Sequence, residues 1–221
     1  MGAQKVTSNI YLVGGDISAP GDAAVYLITD GNKSALVDTG TGKGISAITR
    51  NIGGTGTDLK SIELIFLTHC HYDHTGGALS MREKTSAKIV MHKLDAVYVT
   101  EGDSETTAAS WYGSMMKKTP VDIIIEKEKE VFKVGEMEIS VWHTPGHSPG
   151  SFVLTMMSDG KLVLFGQDVH GPLHPALKSN REKYRNSLEF LLSLNADILC
   201  EGHYGVFHGK DKVRKFIQSF L

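Results

Sequence analysis

Short apolar runs and helical segments alternate along this chain, with no low-complexity stretch and no long linker between them. The apolar runs predict strands at 9–13, 23–29, 34–37, 62–68 and 87–91, of which 62–68 reads as buried. Helices are expected near 44–52 and 75–84. In the second half, 131–134 and 138–142 flank Gly135, and 152–156 and 162–165 flank Ser158–Lys161, two hairpin patterns. Tyr184, Leu188, Leu191 and Leu192 recur at helical spacing within 180–194, and 212–221 closes the sequence with another amphipathic helix. Periodicity alone gives a mixed α/β class. Because each half runs through strands and then a helix, two packed sheets with helices outside are expected, in one domain over 1–221.

Composition narrows the partners. A chain of 221 residues with 41% hydrophobic content can bury a sizeable core. Net charge is only −2 and no basic tract is long enough to track phosphates, so a small-molecule substrate is expected and a nucleic acid is not. The opening residues hold no signal-peptide core and no run reaches the length of a membrane span, so a cytoplasmic protein with no membrane partner is expected. The two cysteines, Cys70 and Cys200, offer no disulfide framework. A homo-oligomer is left open.

The chemistry concentrates in His69-Cys70-His71-Tyr72-Asp73-His74, three imidazoles and a carboxylate within six residues, where a metal site is the leading explanation. On an extended segment His69 and His71 project to the same side, and Cys70 alternates away into packing. Asp73 and His74 leave the following strand-to-helix corner in a second direction. Further polar residues sit where apolar runs end: His147 in the turn-rich Thr144–Ser151, Asp168 after 161–167, and His203 after 196–202. Asp38, ending 34–38, is a carboxylate that can orient a ligand histidine from behind or cap the next helix.

These five separated motifs, running in order from about Ile10 to the C-terminus, resemble the metallo-β-lactamase superfamily, with glyoxalase II similar in motif. The resemblance implies an αββα sandwich, four layers with two mixed β-sheets and helices on the outer faces, and two divalent metal ions, zinc first, with iron or manganese also compatible. It implies that His69, His71 and His147 bind one ion, Asp73, His74 and His203 the second, and that Asp168 bridges them. Seven filled positions argue against a non-catalytic metal-binding module.

The activity implied is hydrolysis of a small-molecule thioester, ester or lactone by a metal-bridging hydroxide, with Asp73 as the catalytic residue that orients the nucleophile and carries the proton. Only 18 residues follow His203 (221 − 203), too few for the glutathione-binding extension of glyoxalase II. The competing expectation is an oxidoreductase resembling persulfide dioxygenases, with a single iron on His69, His147 and Asp168. Candidate substrate contacts are His170 and His174, close after Asp168, and Trp111 and Tyr112 in 98–118, a candidate helical lid whose Met115 and Met116 either extend an apolar wall or bury the lid against the body.

Overall fold

Val25, Tyr26, Leu27 and Ile28 form an unbroken apolar run because the strand they build is covered on both faces. Val25 and Leu27 point into one apolar layer, with Ile45, Ile48 and Ile52, while Tyr26 and Ile28 point into another, with Phe152, Leu154 and Phe165. The pleat sends alternate residues to opposite sides, so a strand between two layers has no polar face to display.

A computed structural model describes residues 2–221. Among them, one sheet runs in chain order through β1 (Gln4–Lys5), β2 (Ile10–Gly14), β3 (Val25–Thr29), β4 (Ser34–Val37), β5 (Ile62–Phe66), β6 (Lys88–His92) and β7 (Ile123–Ile125). Its first four strands are antiparallel, and β4 to β7 are parallel. The connections carry α1 (Ile45–Gly54), α2 (Tyr72–Thr75), α3 (Ala78–Thr85) and α4 (Lys93–Glu101). The second sheet comprises β8 (Lys129–Val134), β9 (Met137–His143), β10 (Phe152–Ser158), β11 (Lys161–Gln167), β12 (Ile198–Glu201) and β13 (Val206–His208), in the order β13-β12-β11-β10-β9-β8. Here only β11 and β12 pair parallel, across the crossover that contains α5 (Arg181–Leu194). The helix α6 (Lys210–Gln218) follows β13.

Three apolar layers hold these elements together. Tyr184, Leu188 and Leu191 of α5 and Val213 and Ile217 of α6 meet Val153, Leu164 and Leu199 on the outside of the second sheet. The i, i+4, i+7 spacing on α5 is what brings one stripe onto that sheet. Between the sheets lie Phe66, Val90, Ile139, Val141, Val163, Ile198 and Cys200. The result is the expected four-layer αββα sandwich of two mixed sheets with outer helices. No helix among the described residues is long and apolar enough to cross a membrane.

Strand directions decide where polar groups gather. The C-terminal ends of β4, β5, β9, β11 and β12 all open on the same edge, where the two sheets are stitched together. Phe152 N–H donates to Thr68 O (2.9 Å), Ala24 N–H to Gly202 O (2.7 Å) and the Tyr26 hydroxyl to Glu201 O (2.8 Å).

Several elements depart from the sequence reading. The helix expected at 75–84 is two helices parted at Gly76 and Gly77, because these residues press against the loop after β4. A Cβ on Gly76 would lie 2.5 Å from Thr41 O, and one on Gly77 2.4 Å from Thr39 O. The segment 98–118 is not one helix. Its first residues finish α4, Gly102 ends that helix at φ +74°, and the remainder is turns with one short 3-10 stretch at Ala109–Tyr112. Asp103 stabilises the turns by accepting from Glu105 N–H (2.9 Å) and Thr106 N–H (3.0 Å), chemistry that competes with a helix. The apolar wall is divided as well. Met116 is buried in the core while Met115 is exposed.

Glycine positions give a stability test. Gly146 sits at φ +138° with its hydrogen against α5, and a Cβ there would lie 2.2 Å from Tyr184 Cα. Gly146→Ala should cost about 2–5 kcal/mol in urea unfolding, from strain and overpacking together. Gly53→Ala, inside α1 with nothing within 4 Å of the added methyl, should instead stabilise by about 0.5–1 kcal/mol.

Candidate metal centre

Seven side chains meet at the open strand edge. His69 and His71 come from the loop beyond β5, Asp73 and His74 from α2, His147 from the turn between β9 and β10, Asp168 from the end of β11, and His203 from the bend after β12. The pleat does not aim His69 and His71, since β5 stops at Phe66 and both residues lie beyond it. Their rings still converge, with centroids 4.5 Å apart and nearly perpendicular. Loop backbone rather than strand alternation sets their directions. Cys70 between them is buried in the core, as expected.

The side chains sort into two groups around Asp168. His69, His71, His147 and Asp168 bring ligand-type atoms within 4.8 Å of one another, as do Asp73, His74 and His203. The two Asp168 oxygens divide between them. Oδ2 lies 3.2 Å from His147 Nε2 and 3.9 Å from His69 Nε2, while Oδ1 lies 3.0 Å from His74 Nε2 and 3.4 Å from His203 Nε2. Asp73 Oδ2 approaches His203 Nε2 at 3.2 Å. One carboxylate thus faces both clusters, an arrangement that can span two cations.

Tautomers are set from behind. His74 Nδ1–H donates to Asp38 Oδ2 (2.7 Å) and His147 Nδ1–H to Pro172 O (2.9 Å). The Thr68 hydroxyl donates to Asp38 Oδ2 (2.8 Å) and therefore accepts from His69 Nδ1–H (3.0 Å). Asp38 takes the orienting role; Gly44 occupies the position before α1, with no side-chain cap. Each imidazole so fixed turns Nε2 inward. The Nε2 atoms of His69, His71, His74 and His147, and Asp168 Oδ1, are buried and have no hydrogen-bond partner among the described residues. Buried polar atoms without partners are costly and rare. Four in one pocket, all on imidazoles with their far nitrogens tied where a tie is present, fit divalent cations as the missing partners.

Charge distinguishes the clusters. Burial, reinforced by His147, pulls His71 down to about 3, and burial likewise holds His69 well below its usual value. Burial works the same way on His74, but the carboxylates of Asp168, Asp38 and Asp73 overcome it and raise the imidazole well above normal. His203, also pushed down by burial, is lifted to about 10 by Asp168 and Asp73. His69 and His71 are therefore neutral imidazoles ready to ligate, whereas His74 and His203 hold protons against the facing carboxylates.

Of the candidate substrate contacts, Tyr112 and His170 come close. The Tyr112 phenol is raised by burial and by the facing Asp73 carboxylate, and Gly21 lies against its ring. His170 stands 5.1 Å, ring to ring, from His203. Trp111 and His174 instead pack on each other, with centroids 5.2 Å apart, joining the 98–118 segment to the loop after Asp168. Sequence reasoning missed Glu201. This fully buried carboxylate accepts from His170 Nδ1–H (2.8 Å), His203 N–H (2.6 Å) and Tyr204 N–H (2.8 Å), so it positions the bend that carries His203. The signal available was an acidic residue ending an apolar strand two positions before a histidine.

Residues 19–203 match the family described as the metallo-beta-lactamase superfamily. A probable metallo-hydrolase of Methanocaldococcus jannaschii is 31% identical over 57% of this chain and 58% of its own length. The first curated relatives are therefore matched over only about half their length, 58% and 47%. The human protein named acyl-coenzyme A thioesterase MBLAC2 is 24% identical over 90% of this chain and 78% of its own. Among solved structures, the FEZ-1 metallo-beta-lactamase of Legionella gormanii superposes with a TM-score of 0.81 at 20% identity, covering 100% of this chain and 92% of that one, a likeness of fold. The motifs, the sandwich and the family match agree: this chain belongs to the metallo-beta-lactamase superfamily.

Proposed function

We propose that the protein is a dinuclear metal-dependent hydrolase acting on a small-molecule thioester, ester or lactone. The observation that carries this reading is the split contact of Asp168, one oxygen toward each of two histidine clusters. The superfamily match supports a metallo-hydrolase, and the likeness to a protein named as an acyl-coenzyme A thioesterase directs the substrate class toward thioesters.

In this reading His69, His71 and His147 hold the first cation, Asp73, His74 and His203 the second, and Asp168 both, with zinc the first candidate. When bound, the pair supplies Lewis acidity, lowering the pKa of an attacking water to about 7 and polarising the scissile carbonyl. The protein's own groups do the rest. Asp38 keeps His74 and, through Thr68, His69 in the tautomer that presents Nε2. The Asp73 carboxylate accepts the proton lost by the attacking water and returns it to the departing thiolate or alkoxide, so water and thioester become acid and thiol. Tyr112, kept as a phenol, is a hydrogen-bond donor for the substrate oxygen beside Asp73. A cleft of about 220 Å³ along Gly15, Asp16, Ile17 and His203 leads substrate toward the second cluster.

The direct test is steady-state hydrolysis of thioester, lactone and ester panels by the metal-loaded protein. Asp73→Asn should lower kcat about 10²–10⁴-fold when compared at equal metal content, the range for a lost general acid-base group. Turnover unchanged by this substitution would remove Asp73 from the reaction.

Proton release tests the charge asymmetry. Because the His203 pKa in the metal-free fold is raised from 6.5 to about 10, its ion pairing stabilises the fold fully below about pH 6.5 and is lost as pH climbs through 10. A cation entering that cluster must displace those protons. Calorimetry at pH 7 in buffers of different ionisation enthalpy should show more protons leaving with the second cation than with the first. Affinity for the second should strengthen as pH rises from 7 toward 10. Equal, pH-independent uptake at both clusters would contradict the assignment.

A further inference from the structure

Asp95 lies in the first turn of α4, is fully buried, and has no lysine, arginine or histidine paired with it among the described residues. Its charge is met entirely by neutral donors. Oδ2 accepts from Cys70 N–H (2.9 Å) and from the Ser148 hydroxyl, and Oδ1 accepts from Gly150 N–H (2.6 Å). These donors belong to two separate loops. Cys70 is the residue between His69 and His71, in the loop of the first sheet, whereas Ser148 directly follows His147 in the loop of the second. Gly150 is a close approach as well, since a Cβ there would sit 2.7 Å from Asp95 N.

The same corner carries a second link. His92, which caps α4, stacks on His143 at 3.9 Å and 10°, and His143 Nε2–H donates to Pro149 O (3.0 Å). The start of α4 therefore grips the His147 turn from outside, and the Asp95 carboxylate also hydrogen-bonds the His69–His71 loop. Asp38 serves both clusters, His74 directly and His69 through Thr68, and Glu201 holds the His203 bend of the second.

We propose that Asp95 is a positioning residue confined to the first cluster, its carboxylate stapling the His69–His71 loop to the His147 turn and so raising that cluster's affinity for a divalent cation. This rests on the metal-centre reading above. A buried carboxylate with three donors on two loops resists changes in loop separation in a way that a single bond to either loop would not. An isosteric amide fails here. With one acceptor oxygen left, the side chain of the Asp95→Asn variant would have to turn its NH₂ toward either the Cys70 N–H or the Gly150 N–H, opposing donor to donor.

The experiment is a Zn(II) chelator competition on the full chain in two backgrounds, His203→Ala to leave the first cluster and His147→Ala to leave the second. Adding Asp95→Asn should weaken Zn(II) binding about tenfold to a hundredfold in the first background, as for other groups that orient metal ligands, and by less than about threefold in the second. The Co(II) absorption bands of the His203→Ala protein should shift with it, while far-UV circular dichroism stays unchanged. First-cluster affinity within threefold of its parent, or equal weakening at both clusters, would overturn the proposal. Should Asp95→Asn fail to fold, Ser148→Ala removes one donor alone and should give a smaller loss confined to the first cluster; a loss shared equally would again overturn it. No Zn(II) binding by the unsubstituted chain would instead defeat the metal-centre reading itself.

Discussion

Everything at the strand edge turns on the burial of imidazole nitrogens that the protein itself does not satisfy. His69, His74 and His147 each commit Nδ1 to an acceptor on the protein and leave Nε2 buried, facing Asp168. An unmet polar atom in such a place costs about 1–3 kcal/mol, and several together cost more than most single contacts return. A fold keeps that arrangement only if something else supplies the partner. Divalent cations fit that role, and once bound they would convert the same atoms from a stability cost into binding energy.

The sandwich meets this demand through strand direction and layered burial. Because the middle strands are covered on both faces, their polar residues are confined to the ends, and β4, β5, β9, β11 and β12 deliver those ends to one edge. The two sheets must then hold ligands on opposite sides at fixed separation. Backbone bonds such as Phe152 to Thr68 do part of this, and the buried carboxylates Asp38, Asp95 and Glu201 do the rest, each tying a ligand or its neighbouring backbone. Positive φ at Asp38 (+61°) and Gln167 (+45°) marks the strain accepted at the points where β4 and β11 turn out toward the site.

Much of this was legible in the chain. Strand runs stand out because a segment buried on both faces must be apolar throughout, and the ligands stand out because histidine clusters within a few residues are uncommon. What escaped reading depends on contacts distant in sequence. The break at Gly76–Gly77 is imposed by carbonyls of Thr39 and Thr41, more than thirty residues away. Met and aromatic spacing in 98–118 imitates a helix, but Asx-type bonds from Asp103 win locally. Asp95 and Glu201 look like ordinary acidic residues until the fold surrounds them with donors. The helix α4 is hard to read because its hydrophobic stripe is weak and its start is held by Asp95 and His92 rather than by apolar packing alone.

Asp168 is the hinge between a one-metal and a two-metal account, since its two oxygens face different clusters and a mononuclear iron site would need only one of them. Elemental analysis of the protein purified without added metal or chelator decides between the two most directly. Close to two divalent ions per chain, mainly zinc, is the result this account predicts. Close to one iron per chain, with oxygen consumed when a persulfide is supplied, would contradict it.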